Sequence, residues 1–183
     1  MDNSNLNAKI SLRNHFLTKI PDLNILECFA GDQRELYHAC YEGKTVTSLE
    51  LKKVAGTMTI DNKKFIAAAD ISKYNFFDLD AYGSPYELML NIMKKKHGEY
   101  AIILTDGLAR NMAYGSGSKL IQTIINNKAG ITIPTLHKHH DFIVKLLLKK
   151  ISEKYHTEIM DAKIIREDHN NMIYLGMLCE SGD

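Results

Sequence analysis

Four short runs of apolar or β-branched residues end on a carboxylate: residues 45–49 on Glu50, 64–69 on Asp70, 76–79 on Asp80 and 100–105 on Asp106. A fifth run, Ile25-Leu26-Glu27-Cys28-Phe29-Ala30, carries Glu27 and stops at Gly31. Open α/β sheets bind ligands in the crevice beyond the carboxyl ends of their strands, so residues that end strands are where chemistry is expected. Carboxylates in that position accept hydrogen bonds from hydroxyls and amines and favour a positively charged ligand. Glu50 lies about 20 residues past Gly31, the separation at which an acid ending a second strand takes both ribose hydroxyls of an adenosine cofactor. Asp106 is followed by Gly107, and lining the crevice and forming an Asp-Gly turn are equal readings for it.

The turn narrows the choice of cofactor. Phe29-Ala30-Gly31-Asp32-Gln33-Arg34 is not Gly-x-Gly-x-x-Gly, and Asp32 puts negative charge where a pyrophosphate would meet the start of a helix. No Gly-x-x-x-x-Gly-Lys-Ser/Thr loop is present, which removes support for a triphosphate site of that type. S-adenosylmethionine has no phosphate, and its ammonium and sulfonium charges suit an acidic rim. His137-Lys138-His139-His140 is dense in imidazoles, but adjacent positions on a helix diverge and no Cys or carboxylate stands at zinc spacing, so no metal is expected. Neither Ser116 nor a cysteine has a recognisable base partner, and a nucleophilic hydrolase finds no support.

These residues need elements to hold them. Leu12, Phe16, Leu17 and Ile20 recur at helical spacing before Pro21-Asp22, which predicts a leading helix within 1–20. The run at 25–30 reads as strand 1. Asp32 and Glu35 have the spacing of a reciprocal N-terminal cap, so a helix follows to about Gly43. Residues 45–50, 64–70 and 76–80 read as strands 2, 3 and 4, and 100–106 as strand 5, with a helix over 86–96. A loop at Gly115-Ser116-Gly117-Ser118, a helix near 120–126 and a long amphipathic helix over 140–155 follow. Residues 158–165 and 172–178 flank the polar turn Glu167-Asp168-His169-Asn170-Asn171, so the tail, 156–180, is an antiparallel hairpin. The expectation is a Rossmann-like α/β domain over 1–183, with a seven-stranded, mostly parallel sheet, that terminal hairpin and helices on both faces.

The 183 residues are 45% hydrophobic and 25% charged, with a formal net charge of +1. That balance supports one core and excludes a global positive field for gripping a long nucleic-acid backbone. The runs Lys94-Lys95-Lys96 and Lys149-Lys150 read as solvated helix ends. Three cysteines without metal spacing argue for reduced thiols in the cytoplasm, and no apolar stretch has the length of a membrane span.

At this point the residues resemble a known family. Ile25-Leu26-Glu27-Cys28-Phe29-Ala30-Gly31 is similar to motif I of class I S-adenosylmethionine-dependent methyltransferases, in the acidic-x-Phe-x-Gly form of the nucleic-acid group. The resemblance implies that Glu27, Phe29, Ala30 and Gly31 border the cofactor, that Glu50 and Leu51 meet its ribose and base, and that Asp70 and Ile71 meet the adenine. Phe77-Asp78-Leu79-Asp80-Ala81-Tyr82-Gly83-Ser84-Pro85 resembles motif IV of tRNA guanine-N2 dimethyltransferases. It implies direct transfer to an exocyclic amine, with Asp80 orienting the amine and Tyr82 stacking on an extruded base. The implied acceptor is a nucleic-acid base, RNA ahead of DNA, or a small-molecule amine. Gln33 stands where motif I ends in glycine, and Ala81 where motif IV has proline. Those departures carry the alternative of a methyltransferase-like binding or partner subunit without turnover, which would work through a protein partner.

Overall fold

The computed structural model describes residues 5–32, 34–81, 83–107, 140–167 and 172–182. Its strands are β1 (Asn24–Cys28), β2 (Thr45–Glu50), β3 (Met58–Thr59), β4 (Phe76–Leu79), β5 (Gly98–Asp106), β6 (Thr157–Glu167) and β7 (Met172–Ser181). The helices are α1 (Leu6–Leu17), α2 (Asn62–Ala68), α3 (Tyr86–Met93) and α4 (His140–Tyr155), with a π-helical turn at Tyr37–Tyr41. The strands form one sheet in the order β3-β2-β1-β4-β5-β7-β6. The first five are parallel, β7 runs antiparallel to β5, and β6 pairs antiparallel with β7 as the expected terminal hairpin.

Two expectations are corrected. Residues 64–70 are not a strand: Asn62–Ala68 is helix α2, capped by Asp61, whose side chain accepts from the Lys64 amide. An apolar run this short does not distinguish strand from helix by periodicity, and the cap with Ala67 and Ala68 favours the helix. The third strand is instead the two-residue Met58–Thr59, paired with the end of β2. The helix expected after Asp32 is the single π-helical turn, entered through Arg34 at φ +53°. The predicted Gly/Ser loop, the helix near 120–126, Gln33, Tyr82, His137, His139 and residues 168–171 lie outside the described residues.

The sheet buries two faces of different character. On one, Leu26, Cys28, Phe77, Leu79, Ile102 and Leu104 pack with α2, α3 and α4 into an apolar core. On the other, α1 and the π-turn cover Ile25, Phe76, Ala101, Ile103 and Tyr174. Alternation along β1 and β4 also directs Glu27 and Asp78 to this second face. Helix α1 starts at Leu6, earlier than its apolar residues suggest, because Asn5 caps it by accepting from the Ala8 amide. Its buried side includes Lys9 and Arg13 as well as Leu12, Phe16 and Leu17. Where α1 crosses β7 the fit depends on Gly176, since a β-carbon there would overlap the Phe16 ring. Gly176→Ala is therefore expected to lower stability by about 1–3 kcal/mol, read from the urea midpoint. An unchanged midpoint would contradict that close approach.

All three cysteines are buried free thiols. Burial pushes Cys40 up to about 11 and Cys179 up to about 12, so both remain protonated and unreactive near neutral pH. No helix among the described residues is long and apolar enough to cross a membrane.

Candidate active site

The carboxyl ends of β1 and β2 are tied together through Glu50. Its Oε2 accepts the Gly31 amide at 2.9 Å and its Oε1 the Leu51 amide at 2.8 Å, while the Ala30 amide bonds the Leu49 carbonyl at 3.1 Å. The turn reverses through φ +62° at Phe29 and +69° at Gly31. Glycine takes the second value without steric cost, and a side chain there would be strained. A carboxylate has about four acceptor positions and the Lys52 amide also reaches Oε1, at 3.4 Å, so Glu50 holds the turn and keeps capacity for one further donor.

Beneath this turn, Arg34 does what the local sequence did not foretell. Its Nη2 donates to Glu27 Oε2 at 3.1 Å and Ser48 Oγ at 2.8 Å, and its Nη1 to the Gly56 carbonyl at 3.1 Å. The guanidinium lies over the Tyr37 ring, 4.2 Å from its centroid. One side chain thus binds β1, β2 and the connection to β3 around the Gly31 turn. Burial pushes the Glu27 carboxyl up to about 7, against the opposing pull of Ser48 and Arg34, so it exchanges its proton near neutrality.

At β4 two further buried carboxylates face α1. Asp78 receives a two-pronged bond from Arg13, Nε and Nη2 each at 2.7 Å, and the Tyr41 hydroxyl at 2.7 Å. Burial alone would lower the Arg13 pKa, but Asp78, Tyr41 and Asp80 raise it further, so the guanidinium stays charged. The Tyr41 hydroxyl is pushed up by burial and by Asp78. Asp80, just past β4, takes Lys9 Nζ at 2.9 Å on each oxygen and the Thr105 hydroxyl on Oδ1. Burial pushes the Asp80 carboxyl up, but Arg13 and Lys9 together with the Thr105 bond hold it below the ordinary range. On the opposite face Asp106 closes β5 and receives the Tyr86 hydroxyl, so it is built into the fold as well as ending a strand.

The expected site residues divide by position. Glu27, Phe29, Ala30, Gly31, Glu50 and Leu51 lie along the carboxyl ends of β1 and β2, and Asp80 follows at the same end of β4. Leu51 is 64% exposed, Phe29 half-buried and Ala30 buried. Asp70 and Ile71 are not there. Because 62–68 is helical, they fall on the return from α2 to the start of β4, at the amino end of the sheet. Asp70 is exposed, and its Oδ1 accepts the Ser72 amide, which lowers its pKa. Ile71 is buried in the apolar core. Lys95, from the turn between α3 and β5, binds the carbonyls of Ile66, Ala67 and Ala69 beside it. The acid that does follow β3 is Asp61, next to Asn62, whose buried Oδ1 has no hydrogen-bond partner among the described residues.

Strand order, strand directions and the terminal hairpin define the class I methyltransferase fold. No protein-family model and no curated protein matches the chain. Solved structures do. NodS, an N-methyltransferase from Bradyrhizobium japonicum WM9 solved with S-adenosyl-L-homocysteine, matches at TM-score 0.59 and 7% identity over 97% of this chain and 87% of its own. Trm1 from Pyrococcus horikoshii, solved with S-adenosyl-L-methionine, matches at TM-score 0.58 and 14% identity over 97% of this chain and 55% of its own. The plantazolicin methyltransferase BpumL, solved with S-adenosylhomocysteine and a desmethylplantazolicin analog, matches at TM-score 0.56 and 14% identity over 96% and 83%.

Proposed function

We propose that this chain is an S-adenosylmethionine-dependent methyltransferase acting in the cytoplasm on an exocyclic amine of a nucleic-acid base, RNA ahead of DNA or a small-molecule amine. The observation that carries this reading is that one end of the sheet holds both a glycine turn pinned by Glu50 and a buried carboxylate, Asp80, in a segment resembling motif IV. Asn62 adds a test of fit. A buried acceptor with no donor among the described residues is open to a ligand donor, and an adenine amino group is one of the needed kind.

In this reading Glu50 takes the ribose hydroxyls, one at the acceptor position its three backbone amides leave open and one in place of the long 3.4 Å contact from the Lys52 amide. Phe29, Ala30 and Leu51 border the nucleoside, and Asp61 with Asn62 takes the adenine edge in place of Asp70 and Ile71. When bound, S-adenosylmethionine supplies an electrophilic methyl group on a sulfonium. Asp80 accepts an N–H of the acceptor amine and turns the nitrogen lone pair toward that group, while Thr105 keeps the carboxylate oriented. Tyr82 stacks on the acceptor base. No covalent bond to the protein forms, and positioning supplies most of the rate.

Calorimetry with S-adenosylmethionine and with S-adenosylhomocysteine tests the cofactor, and folded protein that binds neither rejects the proposal. Glu50→Ala and Asp61→Ala are each expected to weaken binding by about 1–3 kcal/mol, the range for hydrogen bonds at a charged group. Unchanged affinity in both variants would place the cofactor elsewhere. Transfer of label from S-adenosylmethionine into total RNA, DNA, protein and metabolite pools identifies the acceptor. Binding without transfer into any pool supports a partner subunit instead.

A further inference from the structure

Asp80 already holds an amine. Lys9 Nζ sits 2.9 Å from both carboxylate oxygens, and the two side chains are only 4% and 5% exposed. An ammonium on that carboxylate makes the contact that the proposed reaction requires of an acceptor amine. With Thr105 also donating to Oδ1, three of the about four acceptor positions of Asp80 are filled, so an incoming N–H must either share the buried Oδ2 with Lys9 or take its place. We infer that Lys9 is a built-in occupant of the acceptor position, competing with the substrate for Asp80 and admitting only acceptors that displace it. The inference rests on the reading of Asp80 as the residue that orients the acceptor.

Lys9 is the cation of this face best suited to leave. Arg13 makes a fixed two-pronged bond to Asp78 and also donates to the Lys9 carbonyl, and Arg34 is bound at several points around the Gly31 turn. Lys9 is a point charge on a flexible four-carbon stem, without a fork geometry to lose. It also stands near the start of α1, four residues after the Asn5 cap, and that end is held by one side-chain bond of 3.2 Å. Helix ends open at low free-energy cost, so the first turn of α1 can carry the ammonium away while Arg13, Leu12 and Phe16 stay packed. Besides Asp80, the groups facing Lys9 among the described residues are Arg13, Asp78 beyond it and the Tyr174 ring, 5.9 Å from Nζ.

The test compares the wild-type chain with Lys9→Met and Lys9→Gln at sub-saturating acceptor. Label from S-adenosylmethionine is followed into total RNA, DNA, protein and metabolite pools. Glutamine puts a neutral, more weakly held N–H on Asp80, so this variant eases displacement without stranding the buried carboxylate, and thermal melting verifies folding. Removing the occupant is expected to raise incorporation about tenfold, through KM rather than kcat, as when nine-tenths of the sites are closed at rest. Lys9→Arg keeps a cation on Asp80 and is expected to stay at or below wild type. A merely structural lysine predicts the reverse, a loss in the neutral variants restored by arginine. Equal or lower incorporation in both neutral variants, zero included, overturns the inference. Calorimetry keeps the two readings apart: absent cofactor binding by the wild-type chain sinks the methyltransferase reading, whereas binding with no gain from either variant sinks only the role of Lys9.

Discussion

Arg13→Met is expected to destabilise the protein by about 3–5 kcal/mol, the usual consequence of removing one partner of a buried ion pair. For a domain whose total stability is on the order of 5–15 kcal/mol, that threatens folding at physiological temperature. The cause is the position of Asp78. It is 1% exposed, and it neighbours Glu27 in register on the adjacent strand. Without the guanidinium, a single Tyr41 hydroxyl would remain to offset a buried charge. Chemical denaturation of the variant measures the loss, and a second substitution tests its origin. Asp78→Leu in the Arg13→Met background removes the stranded charge and is expected to restore much of the stability, because apolar groups of similar volume often replace a buried pair without net cost. A loss below about 1 kcal/mol in the single variant would show that the pair is solvated in solution.

Asp80→Asn is expected to reduce methyl transfer by about 10²–10⁴-fold while leaving affinity for S-adenosylmethionine unchanged. Asparagine keeps the shape and one acceptor oxygen for Thr105 and Lys9, but the buried Lys9 ammonium loses its counter-charge, so thermal melting of the variant must first show that it is folded. What disappears is the negative charge that draws the acceptor N–H and aligns the nitrogen. Single-turnover transfer with the acceptor pool that takes label, paired with calorimetry on the cofactor, separates the two effects. Transfer at the wild-type rate would remove Asp80 from the mechanism, and lost cofactor affinity would move it to the other half of the site.

Much of this arrangement could be read along the chain because its causes are local. Buried parallel strands appear as largely apolar runs and β2 as a β-branched one, which is why the sequence places β1, β2, β4 and β5 close to where they stand. The hairpin followed from two β-rich segments joined by a short polar turn. Glu50 was found by its distance from Gly31, a spacing set by the length of one strand–turn–strand unit. The third strand was misplaced because a pairing of two residues leaves no pattern, while the alanine-rich run beyond it suits either element. The same difference places Asp70 and Ile71 at the amino end of the sheet, and Asp61 and Asn62 after β3.

The order of types along the chain was thus enough to determine an α/β fold, the turn at Gly31 and the carboxylates Glu50 and Asp80, since each depends on neighbours within about one supersecondary unit. Which charges meet was decided only by the tertiary structure. Lys9 reaches Asp80 across 71 residues and Arg13 reaches Asp78 across 65. Arg34 turns back to Glu27 through a backbone at φ +53°. Such pairs form because a packed interior requires each buried charge to find a partner, and the nearest partner in space bears no relation to distance along the chain.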